Sequence, residues 1–80
     1  MRLDKYLKVS RLIKRRTVAA EAADGGRVSV NGKVAKPSHD VKVGDVIELS
    51  FGQGKLKVEV LSVAEFAAKA DAASMYREIV

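Results

Sequence analysis

Leu3, Tyr6 and Leu7 recur at i, i+3 and i+4 near the start of the chain, while Arg2, Lys5 and Lys8 recur every three residues on an adjoining face. That spacing predicts a short amphipathic helix over residues 2–9. Residues 10–16 hold only Leu12 and Ile13 as large apolar residues, so they form a basic connector anchored by that pair. Thr17 then stands immediately before an alanine-rich run, where its hydroxyl can accept an orphan amide hydrogen bond as the N-cap of a second helix over residues 18–23, stopped by Gly25 and Gly26. From Val28 the period changes to 2. Val28 and Val30 alternate with polar neighbours, Asn31-Gly32 follows, and residues 33–36 resume the extended pattern, which is the signature of a hairpin with a type I′ turn. Pro37 ends that pairing, residues 38–40 are a loop, and Gly44-Asp45 turns the chain into a strand over residues 46–51. After Gly52-Gln53-Gly54, Leu56, Val58 and Val60 alternate as a last strand. Ser62 and Glu65 have the form of a capping box, and the alanine-rich stretch to Val80 predicts a C-terminal helix with Phe66, Met75, Tyr76 and Ile79 packed on the sheet. The fold class is α+β: two N-terminal helices on a small antiparallel sheet of about four strands, with a short C-terminal helix.

Eighty residues make one domain, 1–80, that buries roughly 60% of its unfolded surface. With no cysteine there is neither a disulfide nor a thiolate metal site, and His39 is the only histidine, so no metal and no cofactor is expected. No apolar run is long enough for a membrane span, and a soluble cytoplasmic protein is expected. Charge changes the picture most. The first sixteen residues hold seven basic side chains against the single acid Asp4, an excess of six in a chain whose net charge is +5. Such asymmetry marks a docking face for a polyanion. Only Tyr6, Phe51, Phe66 and Tyr76 are aromatic, too few for a base-stacking platform, so recognition rests on phosphates and shape.

The candidate RNA-binding residues are Arg2, Lys5, Lys8, Arg11, Lys14, Arg15, Arg16, Thr17, Arg27 and Lys33. The arginines Arg2, Arg15 and Arg16 rank first, because a planar guanidinium binds phosphate through two parallel bonds and lysine does not. Arg11 is equally suited to bonding carbonyls at the end of the first helix, Thr17 is a cap before it is a contact, and Arg27 and Lys33 extend the basic face if the hairpin lies beside the helices. Asp4 reads as structural, orienting a neighbouring base, and Tyr6 as a core ring. An enzyme is not expected: Ser38, Asp40 and Asp45 fall in short turns without a base or nucleophile arrangement, and no glycine-rich loop opens a helix. The first helix is too short and lacks Trp or Phe for a lipid surface. A DNA-binding regulator is the remaining rival, weakened by a second helix of small apolar residues with little to read base edges.

Arg2-Leu3-Asp4-Lys5-Tyr6-Leu7, Arg15-Arg16-Thr17, Gly26 through Lys33, and Val43-Gly44-Asp45-Val46-Ile47 together resemble the RNA-binding module of ribosomal small-subunit protein four, the S-four (S4) domain, over about residues 1–50. The S-four-like core is followed by a strand and helix over about 55–80, and Ala72-Ala73-Ser74-Met75-Tyr76 near the end is similar to the stand-alone RqcP family, formerly YabO. That resemblance implies a factor of ribosome-associated quality control. Such a factor binds the large ribosomal subunit through 23S ribosomal RNA, contacts peptidyl-tRNA of the stalled nascent chain, and supports alanine tailing by a partner of the RqcH (NEMF) family. A monomer is expected. The alternative is a general ribosome rescue or assembly factor of the heat-shock S-four type, which carries a longer basic C-terminal extension that this chain lacks.

Overall fold

The computed structural model describes residues 1–52, 54–64 and 72–79. Two helices, α1 (Leu3–Val9) and α2 (Arg16–Asp24), precede a five-stranded antiparallel sheet of β1 (Val28–Val30), β2 (Lys33–Val34), β3 (Val46–Phe51), β4 (Gly54–Val60) and β5 (Tyr76–Glu78), in the order β2-β1-β3-β4-β5. The period-2 strands bury Val28, Val30, Ile47, Leu49, Val58 and Val60 on one face, against Leu3, Tyr6 and Leu7 of α1 and Ala19 and Ala23 of α2. Each fully buried Leu or Val contributes about 1.5–3 kcal/mol of transfer free energy. Alanines at i and i+4 let α2 lie close to α1, and Leu12 and Ile13 pack against the core, holding the connector as the sequence predicts. The opposite face is polar, with the ion pairs Lys55–Glu48 at 3.4 Å and Arg77–Glu59, as suits an antiparallel sheet with one wet side. No helix among the described residues is long and apolar enough to cross a membrane.

The chain reversals follow the predicted glycines, with one exception. Gly26 ends α2 with φ 76°, its amide donating to the Ala23 carbonyl and that of Arg27 to Ala22, which completes a Schellman motif. Asn31 and Gly32 have φ 53° and 86°, the left-handed pair of a type I′ turn. Asn31 also braces the turn before β3, its Nδ2 donating to Asp45 at 3.1 Å and its Oδ1 accepting from the Val46 amide at 2.9 Å. The exception lies just past α1, where Arg11 has φ 63°. A left-handed backbone costs a residue with a Cβ roughly 1–2 kcal/mol.

Three predicted features are corrected. Thr17 is not the N-cap of α2: the Ala19 amide bonds the Arg15 carbonyl at 3.0 Å, so Arg15 is the N-cap and Thr17 sits inside the first turn. The sheet has five strands, not about four. Residues 76–78, predicted as helix, are β5, reached through a 3₁₀ turn at Ala73–Met75. The reason is tertiary: β4 presents an open edge, and pairing Val60↔Tyr76, Glu59↔Arg77 and Val58↔Glu78 satisfies backbone groups that no local helix would. Ser62 is not helical, and its amide donates to the Met75 carbonyl at 3.1 Å. Its predicted partner Glu65 and the apolar Phe66 lie outside the described residues, as does the rest of 65–71. Met75 and Tyr76 do pack, the first buried and the second half-buried, and the Tyr6 hydroxyl donates to the Met75 carbonyl at 2.8 Å inside the core.

Candidate nucleic-acid interface

The two helices begin side by side, and an arginine stands at each beginning. Arg2 is the N-cap residue of α1, held by a bridge to Asp40 and by the Leu3 amide bonding the His39 carbonyl at 2.8 Å. Arg16 is the first residue of α2. Between them lies the carboxylate of Asp4, whose side chain is only 6% exposed. Arg2 grips it with a fork, Nε to Oδ1 and Nη2 to Oδ2, both at 3.2 Å. The Lys5 amide donates to Oδ1 at 2.7 Å, and Arg16 Nη2 approaches the same oxygen to 3.5 Å. Burial opposes ionisation of Asp4, but the Arg2 hydrogen bond, the Lys5 amide and the charges of Arg16 and Arg2 outweigh it and hold the carboxyl below its ordinary value.

One buried anion therefore fixes two cations. Each guanidinium is about half exposed, and a guanidinium has five N–H donors, so donors not turned to Asp4 remain for an external acceptor. The three groups carry one net positive charge, in a geometry that offers two planar forks to neighbouring phosphates. Asp4 is thus structural, orienting a base as the sequence suggests, and in fact it orients two.

Of the ten candidates, Lys5 is half-buried and the other nine are exposed. Lys8 lies in the last turn of α1, and Arg11, Lys14 and Arg15 follow in the connector, so these residues and the Arg2–Arg16 pair belong to one helix-connector-helix unit. The side chain of Arg11 does not bond carbonyls at the end of α1; its backbone amide does so instead, donating to Lys8 at 3.1 Å. The hairpin residues separate. Arg27 precedes β1 at the open end, whereas Lys33 begins β2 beside the turn, about 10 Å of strand away. Continuing the register past Ser29↔Val34 sets Lys36 across from Arg27, next to Pro37, whose carbonyl accepts the Asp4 amide at 3.1 Å. Sequence reasoning passed over Lys36. The hairpin register, read two residues further, is the signal that finds it.

Comparison with known proteins gives the family of the chain. The S4 domain family matches residues 1–47, a span that includes all ten candidates. The chain is 60% identical over 79 residues to the RQC P-site tRNA stabilizing factor of Streptococcus pneumoniae, covering 99% of this chain and 90% of that protein. It is 57% identical over 76 residues to the factor of the same name from Bacillus subtilis, covering 95% and 88%. The trimeric structure of Vibrio cholerae heat shock protein 15 superposes with a TM-score of 0.91 at 34% identity, over 99% of this chain and 81% of that one. With a matching domain, a matching fold and relatives aligned nearly end to end, the chain belongs to the S4-domain family of RQC P-site tRNA stabilizing factors, the RqcP (YabO) family.

Proposed function

We propose that this protein is a non-enzymatic RNA-binding factor of ribosome-associated quality control in the cytoplasm, acting as a monomer on the large ribosomal subunit that still carries peptidyl-tRNA. Its basic unit of α1, connector and α2 grips 23S ribosomal RNA and the tRNA, and so supports alanine tailing by an RqcH-family partner on the same subunit. The observation that carries this reading is the Arg2–Asp4–Arg16 cluster, two half-exposed guanidinium forks fixed by one buried carboxylate. The names of the relatives from Streptococcus pneumoniae and Bacillus subtilis, P-site tRNA stabilizing factors, support the choice of ligand. A DNA-reading role is disfavoured by α2: besides Arg16, its exposed residues are Thr17, Val18, Glu21 and Asp24, and the two acids would face phosphate.

Co-sedimentation with large subunits, empty or bearing peptidyl-tRNA, across a salt series and beside small subunits and duplex DNA of equal phosphate count, tests the proposal. The wild-type protein is expected to prefer the tRNA-bearing large subunit at moderate salt. Folded Arg2→Ala and Arg16→Ala proteins are each expected to bind it about tenfold more weakly, the loss of one charge-assisted contact. Equal, salt-labile binding to every polyanion would reduce the protein to a generic basic module.

A further inference from the structure

Among the described residues five have left-handed backbones, and four have a local explanation. Gly26, Gly32 and Gly44 have no Cβ to clash. Asn31 is of a type that tolerates the conformation and uses its side chain to brace Asp45 and Val46. Arg11 has neither excuse. It is exposed, and its side chain makes no hydrogen bond or ion pair with any described residue. The two helices provide an internal control, because both end with the next residue but one in the left-handed region: α2 uses Gly26 there, and α1 uses Arg11. The chain thus has a residue that makes this reversal without strain and does not use it after α1. The bonds that close α1, from the Arg11 amide to the Lys8 carbonyl and from the Ile13 amide to the Leu7 carbonyl, hold this backbone in place, but no side-chain contact of Arg11 with a described residue accounts for having an arginine there.

We propose that the Arg11 guanidinium is a direct contact to an RNA backbone phosphate, and that the left-handed backbone is what aims it. The reversal at Arg11 turns the chain off the end of α1, where the Ile13 amide bonds back to the Leu7 carbonyl at 3.0 Å and Leu12 and Ile13 are anchored on the core. The side chain therefore projects from a fixed point and not from a loose loop. Lys8, Lys14 and Arg15 are its exposed basic neighbours along the chain, so a polyanion is the partner this position attracts. The inference rests on the RNA reading above and deepens it, by naming a residue whose conformation as well as charge serves the ligand. A strained backbone that the surrounding structure holds in place, at a residue whose own side chain gains nothing from it within the described fold, is the expected mark of such a position.

The test compares Arg11→Gly with Lys14→Ala, each of which removes one positive charge from the same connector. Arg11→Gly is expected to unfold about 4 °C above wild type, because glycine removes the backbone strain. It is also expected to bind tRNA-bearing large subunits about tenfold more weakly, with the slope of log affinity against log salt smaller by about one. Lys14→Ala is expected to lose about threefold or less. An Arg11→Gly protein that is no more stable than wild type, or that binds as well as Lys14→Ala, overturns the assignment while leaving the wild-type preference for the tRNA-bearing subunit, and with it the broader reading, intact. Loss of that wild-type preference overturns both.

Discussion

Asp4 sits where an acid ought to harm the proposed phosphate-binding surface, and its position gives the reason it need not. It lies beneath the two arginines, and its charge is spent on them. Asp4→Asn tests this with an unusual sign. The variant raises the net charge of the protein by one, so general electrostatics predicts tighter RNA binding, whereas loss of the anion that holds Arg2 and Arg16 together predicts weaker binding; we expect a severalfold loss in the same sedimentation assay. Stability should fall as well, by about 1 kcal/mol, a modest figure because both arginines are half solvated and screened. The pH dependence follows from the direction of the shift. The folded carboxyl titrates below its ordinary value of 3.8, so its contribution is complete above that pH and is lost as the pH falls through the folded value. Thermal midpoints of wild type and Asp4→Asn should therefore stay apart at neutral pH and converge in strong acid. At this scale the sequence shows the concentration of charge directly, since seven basic side chains before Thr17 are visible by counting. It did not show that one carboxylate serves two helices, because residues 4 and 16 meet only when those helices pack.

The elements that were legible are those whose signal is local. The 3.6 period of α1, the glycines after α2, the Asn31-Gly32 turn and the alternation of β3 and β4 each write their own structure within a few residues. β5 does not. Its residues are Tyr76, Arg77 and Glu78 at the end of an alanine-rich stretch, and only the edge of β4 makes them a strand. Thr17 failed for a smaller reason: helix starts are set by the first carbonyl to accept a bond, here that of Arg15, and a hydroxyl nearby is no guarantee of the cap. The hairpin brace is a third feature beyond local reading, since Asn31 was legible as a turn residue but not as a partner of Asp45. Asn31→Gly separates the two roles. Glycine keeps the positive φ while the side-chain bonds to Asp45 and Val46 are lost, so we expect about 1 kcal/mol of destabilisation in urea unfolding, with the slope of the transition unchanged. Full retention of stability would show that the turn conformation alone holds the end of the sheet.

For the molecule as a whole, the carbonyl of Met75 is the point where beginning and end of the chain meet. It accepts the Tyr6 hydroxyl at 2.8 Å, the Leu61 amide at 2.8 Å and the Ser62 amide at 3.1 Å. Burial pushes the Tyr6 hydroxyl pKa well up, with Tyr76 adding to the effect, so the group remains a donor at any ordinary pH. Tyr6→Phe leaves the carbonyl two partners and keeps the ring, so the expected loss is about 1 kcal/mol, seen as a thermal midpoint lower by about 4–8 °C in a domain of this size. RNA affinity should hardly move below that midpoint, which distinguishes this tie from the arginine cluster. The same bond has a consequence for how the protein is made. Synthesis runs from α1 toward β5, so the helix that carries Arg2 and Lys8 is completed first, while the acceptor for its buried hydroxyl arrives last. During most of its own translation the nascent chain carries the basic segment of α1 and the connector without the tie that seats α1, and a product interrupted before Met75 would present that charge without shape.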